Sequence, residues 1–279
     1  MITFPNAKIN LGLNIVEKRS DGYHNIETVF YPVGWKDVLE IIPFEKKINR
    51  KNDLQFHQSG IKITGKIENN SCVKAYRLLK EKYELPPVEM CLHKIIPSGA
   101  GLGGGSSDAA FTIVMLNKIF SLNLPDETIE SLASSIGADC AFFIRNQPVF
   151  AMGKGDEFET INLDLSKYHI VIVKPDVHVN TANAYKNVVP KPTSLSLKEI
   201  ISRPISEWKE KLVNEFEFSV FKKYPAIRHV KEQLYEAGAL YASMSGSGSS
   251  VFGIFSDEVN VTNRFPGYDV WYSNGYAQT

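Results

Sequence analysis

Between Pro97 and Ala110 the chain reads PSGAGLGGGSSDAA, with five glycines in the seven residues from Gly99 to Gly105. Glycine lets a backbone come close to an anion and turn successive N–H groups toward it. A helix that starts just after such a run adds unpaired donors and the positive end of its dipole. The chemistry this suits is phosphate binding, and the residues that would carry it are Pro97, Ser98, Gly99, Ala100, Gly101, Leu102, Gly103, Gly104, Gly105, Ser106 and Ser107. A flexible hinge or a tight turn is the plainer reading, but neither needs the two serines that could cap a following helix. Context excludes two named motifs. Gly99, Gly101 and Gly104 satisfy G-x-G-x-x-G, but a dinucleotide fold then needs a strand after the helix and an acidic residue about 20 positions on. A second helical pattern follows here instead. A Walker-type loop ends in Gly-Lys-Ser/Thr, whereas Gly105 is followed by Ser106.

Other residues could act beside such a cradle. Asp139 stands just past Gly137, the expected end of a helix, where its carboxylate could cap the next turn or serve as a base. Lys8 shares a strand face with Asn10 and Gly12. A strand lysine is ordinarily a solvated edge residue, yet an amide and a residue without a side chain are what a strand offers when a ligand lies against it. Tyr23 and His24 follow the turn signal Asp21 and Gly22 and could be an ordinary exposed pair. A second glycine-serine loop, 245–250, could be a tight strand-to-strand turn. His57, His93, His169, His178 and His229 form no metal-ligand spacing, so no protein metal site is expected.

The elements that must position these residues are legible from periodicity. Ala7, Ile9, Leu11, Leu13 and Ile15 alternate with Lys8, Asn10, Gly12 and Asn14, which predicts a strand with a polar, partly open face. Alternation continues to about residue 65, an antiparallel, strand-rich start. Ser71 is the expected cap of a helix bearing Cys72, Ala75, Tyr76 and Leu79. A strand from Val88 to Ile96 precedes the glycine run, and an apolar helix from about Ser107 to Phe120 follows it. Asp126 would cap a further helix that closes at Gly137. The later part starts near Val149 and contains a strand from His169 to Lys174 and a Pro- and Lys-containing loop around 190–193. Helices at about 206–223 and 226–236 come next, the second closed by Gly238, and a last strand runs from Val251 to Phe255. The expected division is 1–148, a nucleotide-binding lobe, and 149–279, a substrate-side lobe.

Composition narrows the class. Lys plus Arg equals Asp plus Glu at 31 each, which removes the electrostatic argument for a nucleic-acid partner. Hydrophobic residues make up 43%, the globular value. Cys72, Cys91 and Cys140 lack C-x-x-C pairing and read as reduced thiols. No apolar run approaches the ~18 residues of a membrane span, and no leader pattern precedes the first strand. A cytoplasmic enzyme with no membrane or nucleic-acid partner is expected.

PSGAGLGGGSSDAA resembles the nucleotide-phosphate loop of the GHMP kinases. Supporting segments are PNAKINLGLNI (5–15), RSDGYHNIETVF (19–30), IGADCAFFI (136–144), NEFE (214–217) and GALYASMSGSGSSVFGIF (238–255). DGYH is the most discriminating, marking a branch whose substrate carries a cytidine diphosphate group. The chain departs from the family pattern at Cys140 and Ala141, where Val-Pro is usual, and at Asn69, Asn70 and Ser71, where Asp-Asn-Leu is common. The resemblance implies a two-lobed α+β fold with the active site in the cleft between lobes. It implies an ATP-dependent kinase that phosphorylates a hydroxyl of a small molecule bearing cytidine diphosphate, with Mg2+ arriving on the nucleotide. It matches Asp139 to the catalytic aspartate and places Lys8 beside it. It assigns Asn10 to the substrate side, Tyr23 to stacking on the cytosine, His24 to the base edge, and Tyr185, with Thr181 nearby, to the second aromatic of the clamp. The loop 243–252 looks like the family's third motif. A homoserine or mevalonate kinase, or a nucleotide-binding protein without catalysis, are the alternatives.

Overall fold

The computed structural model describes residues 1–44, 53–185 and 196–273. In chain order the first elements are strands β1 (Ile2–Thr3), β2 (Asn6–Lys18), β3 (His24–Lys36), β4 (Val38–Pro43) and β5 (Leu54–Gly60), helix α1 (Ser71–Tyr83) and strand β6 (Val88–Lys94). Helices α2 (Gly104–Ile119), α3 (Asp126–Ile136) and α4 (Phe142–Arg145) lead to strands β7 (Val149–Met152), β8 (Glu157–Thr160) and β9 (His169–Lys174). The remainder is α5 (Thr181–Tyr185), α6 (Leu197–Ile201), α7 (Phe216–Lys223), α8 (Pro225–Glu236), β10 (Tyr241–Met244), β11 (Val251–Phe255) and β12 (Asp269–Tyr272). The Pro- and Lys-containing loop expected around 190–193 lies outside the described residues. No helix among the described residues is long and apolar enough to cross a membrane.

Contacts divide the chain into two compact units that interleave along the sequence. The first comprises Met1–Ala7, Gly34–Ser98 and Gly103–Gln147; the second comprises Lys8–Val33, Gly99–Leu102 and Pro148–Thr279. The expected division at residue 148 is therefore drawn differently by the contacts. Residues 8–33 group with the later chain because β2 and β3 share a sheet, in the order β2-β3-β7-β8, with strands that follow residue 148. Hydrogen bonding across a sheet outweighs nearness in sequence.

The first unit holds the sheet β1-β4-β6-β5, in which β4 runs antiparallel and β5 parallel to β6. α1 packs on α2, and α2 on α3. Asn70, not Ser71, caps α1: its side chain accepts from Cys72 N at 2.9 Å, and Ser71 is the first helical residue. α2 begins at Gly104, earlier than expected, so Ser106 and Ser107 lie in its first turn and Gly103 occupies the cap position. Likewise Pro125 precedes α3, whose first residue is Asp126 and which closes on Gly137.

The second unit adds the antiparallel sheet β10-β11-β9-β12. Ile227, Val230 and Leu234 recur at helical spacing on α8 and are fully buried in one core with Val173, Met244 and Val251. Such burial contributes roughly 1.5–3 kcal/mol per side chain. β12 follows β11, so β11 is not the last strand.

Two expectations fail for tertiary reasons. The helix expected at 206–223 is only Phe216–Lys223, preceded by a short 3-10 turn at Ile205–Glu207. Between them Leu13 N donates to Val213 O and Glu215 N to Leu13 O, both at 2.9 Å, so this stretch pairs with β2 instead of coiling. The polar face of β2 is not open either: Lys8, Asn10 and Asn14 are all buried.

Candidate active site

In the second unit, β2 carries Lys8 and Asn10 at 3% and 2% exposure. A buried ammonium needs partners. Lys8 Nζ donates to Asn10 Oδ1 and lies 4.8 Å from the centroid of the Phe30 ring. Asn10 Nδ2 donates to Thr28 Oγ1 at 3.0 Å, and that hydroxyl donates to Gly12 O at 2.6 Å. The Asn10 amide is thereby fixed with its oxygen toward the lysine. This strand lysine is not the solvated edge residue that its sequence position allows.

The glycine run is anchored piecewise. Its middle, residues 99–102, is held in the second unit: Lys8 N donates to Leu102 O at 2.9 Å, Ser245 Oγ to Gly101 O at 2.8 Å, and Ser250 N to Ala100 O at 3.1 Å. Loop 245–250 does join β10 to β11 as a turn, and it also braces the run. Gly101 has φ +79°, and a Cβ there would lie 1.9 Å from Ser245 O, so no other residue fits. In the first unit, Pro97 and Ser98 follow β6, while Gly104, Gly105, Ser106 and Ser107 form the opening turn of α2, where N–H groups lack intrahelical partners. A Cβ on Gly104 would come within 2.9 Å of Ile96 and Lys94, whereas one on exposed Gly105 would meet nothing closer than Ser71 Oγ at 3.5 Å.

Behind that turn the first unit buries a charge cluster that sequence reading missed. Lys94 Nζ donates to Asp37 Oδ2 and, at 2.8 Å, to Asp108 Oδ2; all three residues are at most 2% exposed. Asp37 Oδ1 also accepts from Ile95 N and Ile96 N. The cluster ties the end of β6 to Asp108, just past the first turn of α2, and so sets the two flanks of the run that belong to this unit. Burial pushes the Asp108 carboxyl up to about 7, Lys94 opposing and Asp37 adding to the rise. Burial alone would lower Lys94, but the two carboxylates overcome it and raise it. Residues 94 and 108 frame the run, and that spacing was the available signal; Asp37 carried none.

Asp139, also in the first unit, lies half-buried within the 3-10 turn Ala138–Cys140, whose cap is Gly137. It stands at neither cap position, that of the next turn being Ala141. The neighbouring Cys140 thiol is pushed up to about 12 by burial, against a hydrogen bond from Ser106, which makes it a poor nucleophile.

In the second unit Tyr23 projects from the β2–β3 turn at 63% exposure, its backbone N–H donating to Asp21 Oδ1 at 3.0 Å. Lys154 Nζ lies 5.6 Å from its ring centroid. His24 stacks on Tyr185, centroids 4.8 Å apart and planes 18° from parallel, and Tyr185 meets Phe216 edge-on at 4.7 Å. The second aromatic is thus paired with the histidine. Burial, then Lys18, lowers the His24 pKa, which favours the neutral ring, with one nitrogen to donate and one to accept. Thr181, at the start of α5, shares a 2.9 Å hydrogen bond with Ser247.

Comparison with known proteins decides the family. The GHMP kinases N terminal domain matches residues 70–154 and the GHMP kinases C terminal domain residues 196–264. A 4-diphosphocytidyl-2-C-methyl-D-erythritol kinase of Bacteroides fragilis is 56% identical over 94% of both chains. The chain belongs to the GHMP kinase family. A relative with the same name from Chlorobium limicola is 42% identical over 89% of this chain and 86% of its own. The crystal structure of a 4-(cytidine 5'-diphospho)-2C-methyl-D-erythritol kinase superposes with a TM-score of 0.77 at 30% identity, covering 91% and 90% of the two chains. The fold is accordingly the two-domain α+β GHMP kinase fold, and the protein is an enzyme, a phosphotransferase with an alcohol acceptor. GHMP kinases use ATP.

Proposed function

We propose that this GHMP kinase transfers the γ-phosphoryl group of ATP to the 2-hydroxyl of 4-diphosphocytidyl-2-C-methyl-D-erythritol, a step of non-mevalonate isoprenoid synthesis in the cytoplasm. The observation that carries this reading is the 56% identity along 94% of the chain to a kinase of that name. The free thiols of Cys72, Cys91 and Cys140 agree with a reducing compartment.

Phosphoryl transfer asks the protein chiefly for positioning and charge stabilisation. Residues 97–107 cradle the nucleotide phosphates on backbone N–H groups. Asp139 accepts the proton of the attacking hydroxyl as its oxygen bonds to the γ-phosphorus, and the bond to the β–γ bridging oxygen breaks to release ADP. Lys8, held by Asn10, supplies positive charge for the negative charge that develops. Magnesium neutralises phosphate charge when it arrives with ATP. The residues present fit an ion held mainly by phosphates and water: Ser107, in the first turn of α2, is buried with its Oγ without a hydrogen-bond partner and would offer that oxygen.

The cradle is tested at Gly105, which is less crowded than Gly99, Gly101 or Gly104. Gly105→Val should raise the Michaelis constant for ATP roughly 10-fold or more without lowering Tm, because a Cβ there meets only Ser71 Oγ, at an ordinary contact distance of 3.5 Å. Calorimetry giving unchanged ATP affinity in the folded variant would return the run to a hinge or turn. Gly104→Val cannot serve, since it would strike Ile96 and Lys94.

Specificity is tested at the turn. Stacking of an aromatic side chain on a base is worth roughly 1–3 kcal/mol, so Tyr23→Ala should raise the Michaelis constant for the cytidine substrate roughly 10-fold and that for ATP far less. His24→Ala should relax discrimination between cytidine and uridine forms, because an unmatched base edge no longer leaves the imidazole unsatisfied. Equal phosphorylation of free methylerythritol would remove the cytidine assignment.

A further inference from the structure

The NEFE segment, 214–217, has no part in the chemistry above, yet Asn214 and Glu217 are buried, Glu215 is half-buried, and all three side chains are engaged. Asn214 is 2% exposed, and its Nδ2 donates to Met244 O at 2.7 Å and Gly246 O at 2.8 Å, while its Oδ1 accepts from Phe216 N at 3.0 Å. Three residues on, Glu217 Oε1 accepts from Met244 N at 2.9 Å and Ser243 Oγ at 3.1 Å, and its Oε2 accepts from Lys231 Nζ at 2.6 Å. The segment therefore grips both backbone polar groups of Met244, at the point where β10 turns into loop 245–250. On its other side Glu215 Oε2 accepts from Ile15 N at 2.6 Å, and residues 213 and 215 pair with Leu13. One short stretch is thus fastened both to the strand that carries Lys8 and to the loop beside it.

From that loop the hydrogen bonds lead to the lysine. Ser245, next to both residues that Asn214 holds, accepts from Asn10 N at 3.2 Å and donates to Gly101 O at 2.8 Å. Asn10 in turn accepts from Lys8 Nζ. Each member of the path is buried, and packed interiors leave little slack for a displaced loop to be absorbed. We infer that Asn214 is a positioning residue for Lys8: by fixing Met244 and Gly246 it sets Ser245, through Ser245 the backbone of Asn10, and through Asn10 the ammonium. The inference rests on the reading of Lys8 given above. A purely structural role would require only that the segment fill space and satisfy its own polar groups.

A double-mutant cycle on the full-length kinase separates the two. Asn214→Ala, Lys8→Met and the double variant are assayed for ADP release with ATP and 4-diphosphocytidyl-2-C-methyl-D-erythritol, with Tm measured on each. Asn214→Ala is expected to lower kcat roughly 10–100-fold, as small misplacements of a reacting group do, with both Michaelis constants moving less than about threefold. In the Lys8→Met background the same change should cost less than about twofold, because residues acting through one another are non-additive. Ser245→Ala, which breaks the path one link later, is put through the same cycle and should behave alike if Asn214→Ala does not fold. Reductions that multiply, an unchanged kcat in folded Asn214→Ala, or failure of both variants to fold would each overturn the inference and leave Lys8 in place. Full turnover by Lys8→Met would instead remove Lys8 itself from the mechanism, and with it the target of Asn214.

Discussion

Asp139→Asn is expected to lower turnover by roughly 10²–10⁴-fold, the usual loss when a general base is removed, while ATP affinity stays within about threefold of the parent. The substitution keeps the shape of the side chain and removes its charge and basicity. Asp139 sits in a 3-10 turn and at no cap position, so the change breaks no helix end. In the function proposed above the phosphates are held by the backbone of a different segment, which is why binding and chemistry should separate. The measurement pairs kcat from a coupled ADP-release assay with the ATP dissociation constant from calorimetry. A variant that keeps most of its turnover would remove Asp139 from the reaction, and one that loses nucleotide binding in equal measure would make it a binding residue.

The second large effect is expected at Lys94. Lys94→Met preserves length and apolar volume but leaves Asp37 and Asp108 facing each other without their cation, in a site at most 2% exposed. Breaking a buried ion cluster by removing one member costs about 3–5 kcal/mol, which for a protein of this size lowers Tm by roughly 6–20 °C. Thermal unfolding followed by circular dichroism is the test, and a Tm within about 2 °C of the parent would show the cluster to be energetically idle. The cluster also has a pH signature. Asp108 is raised from 3.8 to about 7, so the folded state retains a proton that the unfolded chain gives up at lower pH. Its contribution to stability is then complete below the unfolded value and lost as pH rises through about 7. Asp108→Asn mimics the protonated form, so its Tm should fall less than the parent's between pH 5 and pH 8. Parallel curves would mean that the Asp108 proton is not linked to folding.

Several elements were legible because their residues are sufficient to specify them locally. The alternation of Ala7 to Ile15 and the apolar run from His169 to Lys174 became strands, and Ile227, Val230 and Leu234 became the buried face of a helix. The glycine run did lie between a strand and a buried helix, although the helix began inside the run. Where the reading missed, a distant partner competed with a local preference. Residues 208–215 have helical composition, but pairing of 213 and 215 with Leu13 took them out of the helix. Ser71 is a good cap by type, yet Asn70 came first and its side chain reached Cys72 N.

The same distinction separates what residue types settled about the site from what they could not. Glycines at 99–105, an aspartate after Gly137 and an aromatic-histidine pair after a turn point to a kind of chemistry through residue type, and residue type is read directly. Their surroundings are not. That Lys8 is buried against Asn10, that Lys94 holds both Asp37 and Asp108, and that Asn214 grips Met244 depend on groups 2, 57, 14 and 30 positions apart meeting in the folded core. A single sequence carries the donors and acceptors but not their pairing. The partner of a buried charge is chosen by which residues the whole chain brings within reach once water is excluded. Residue types determined the kind of chemistry available; tertiary packing decided which polar groups are desolvated, and so which of them are held where they stand.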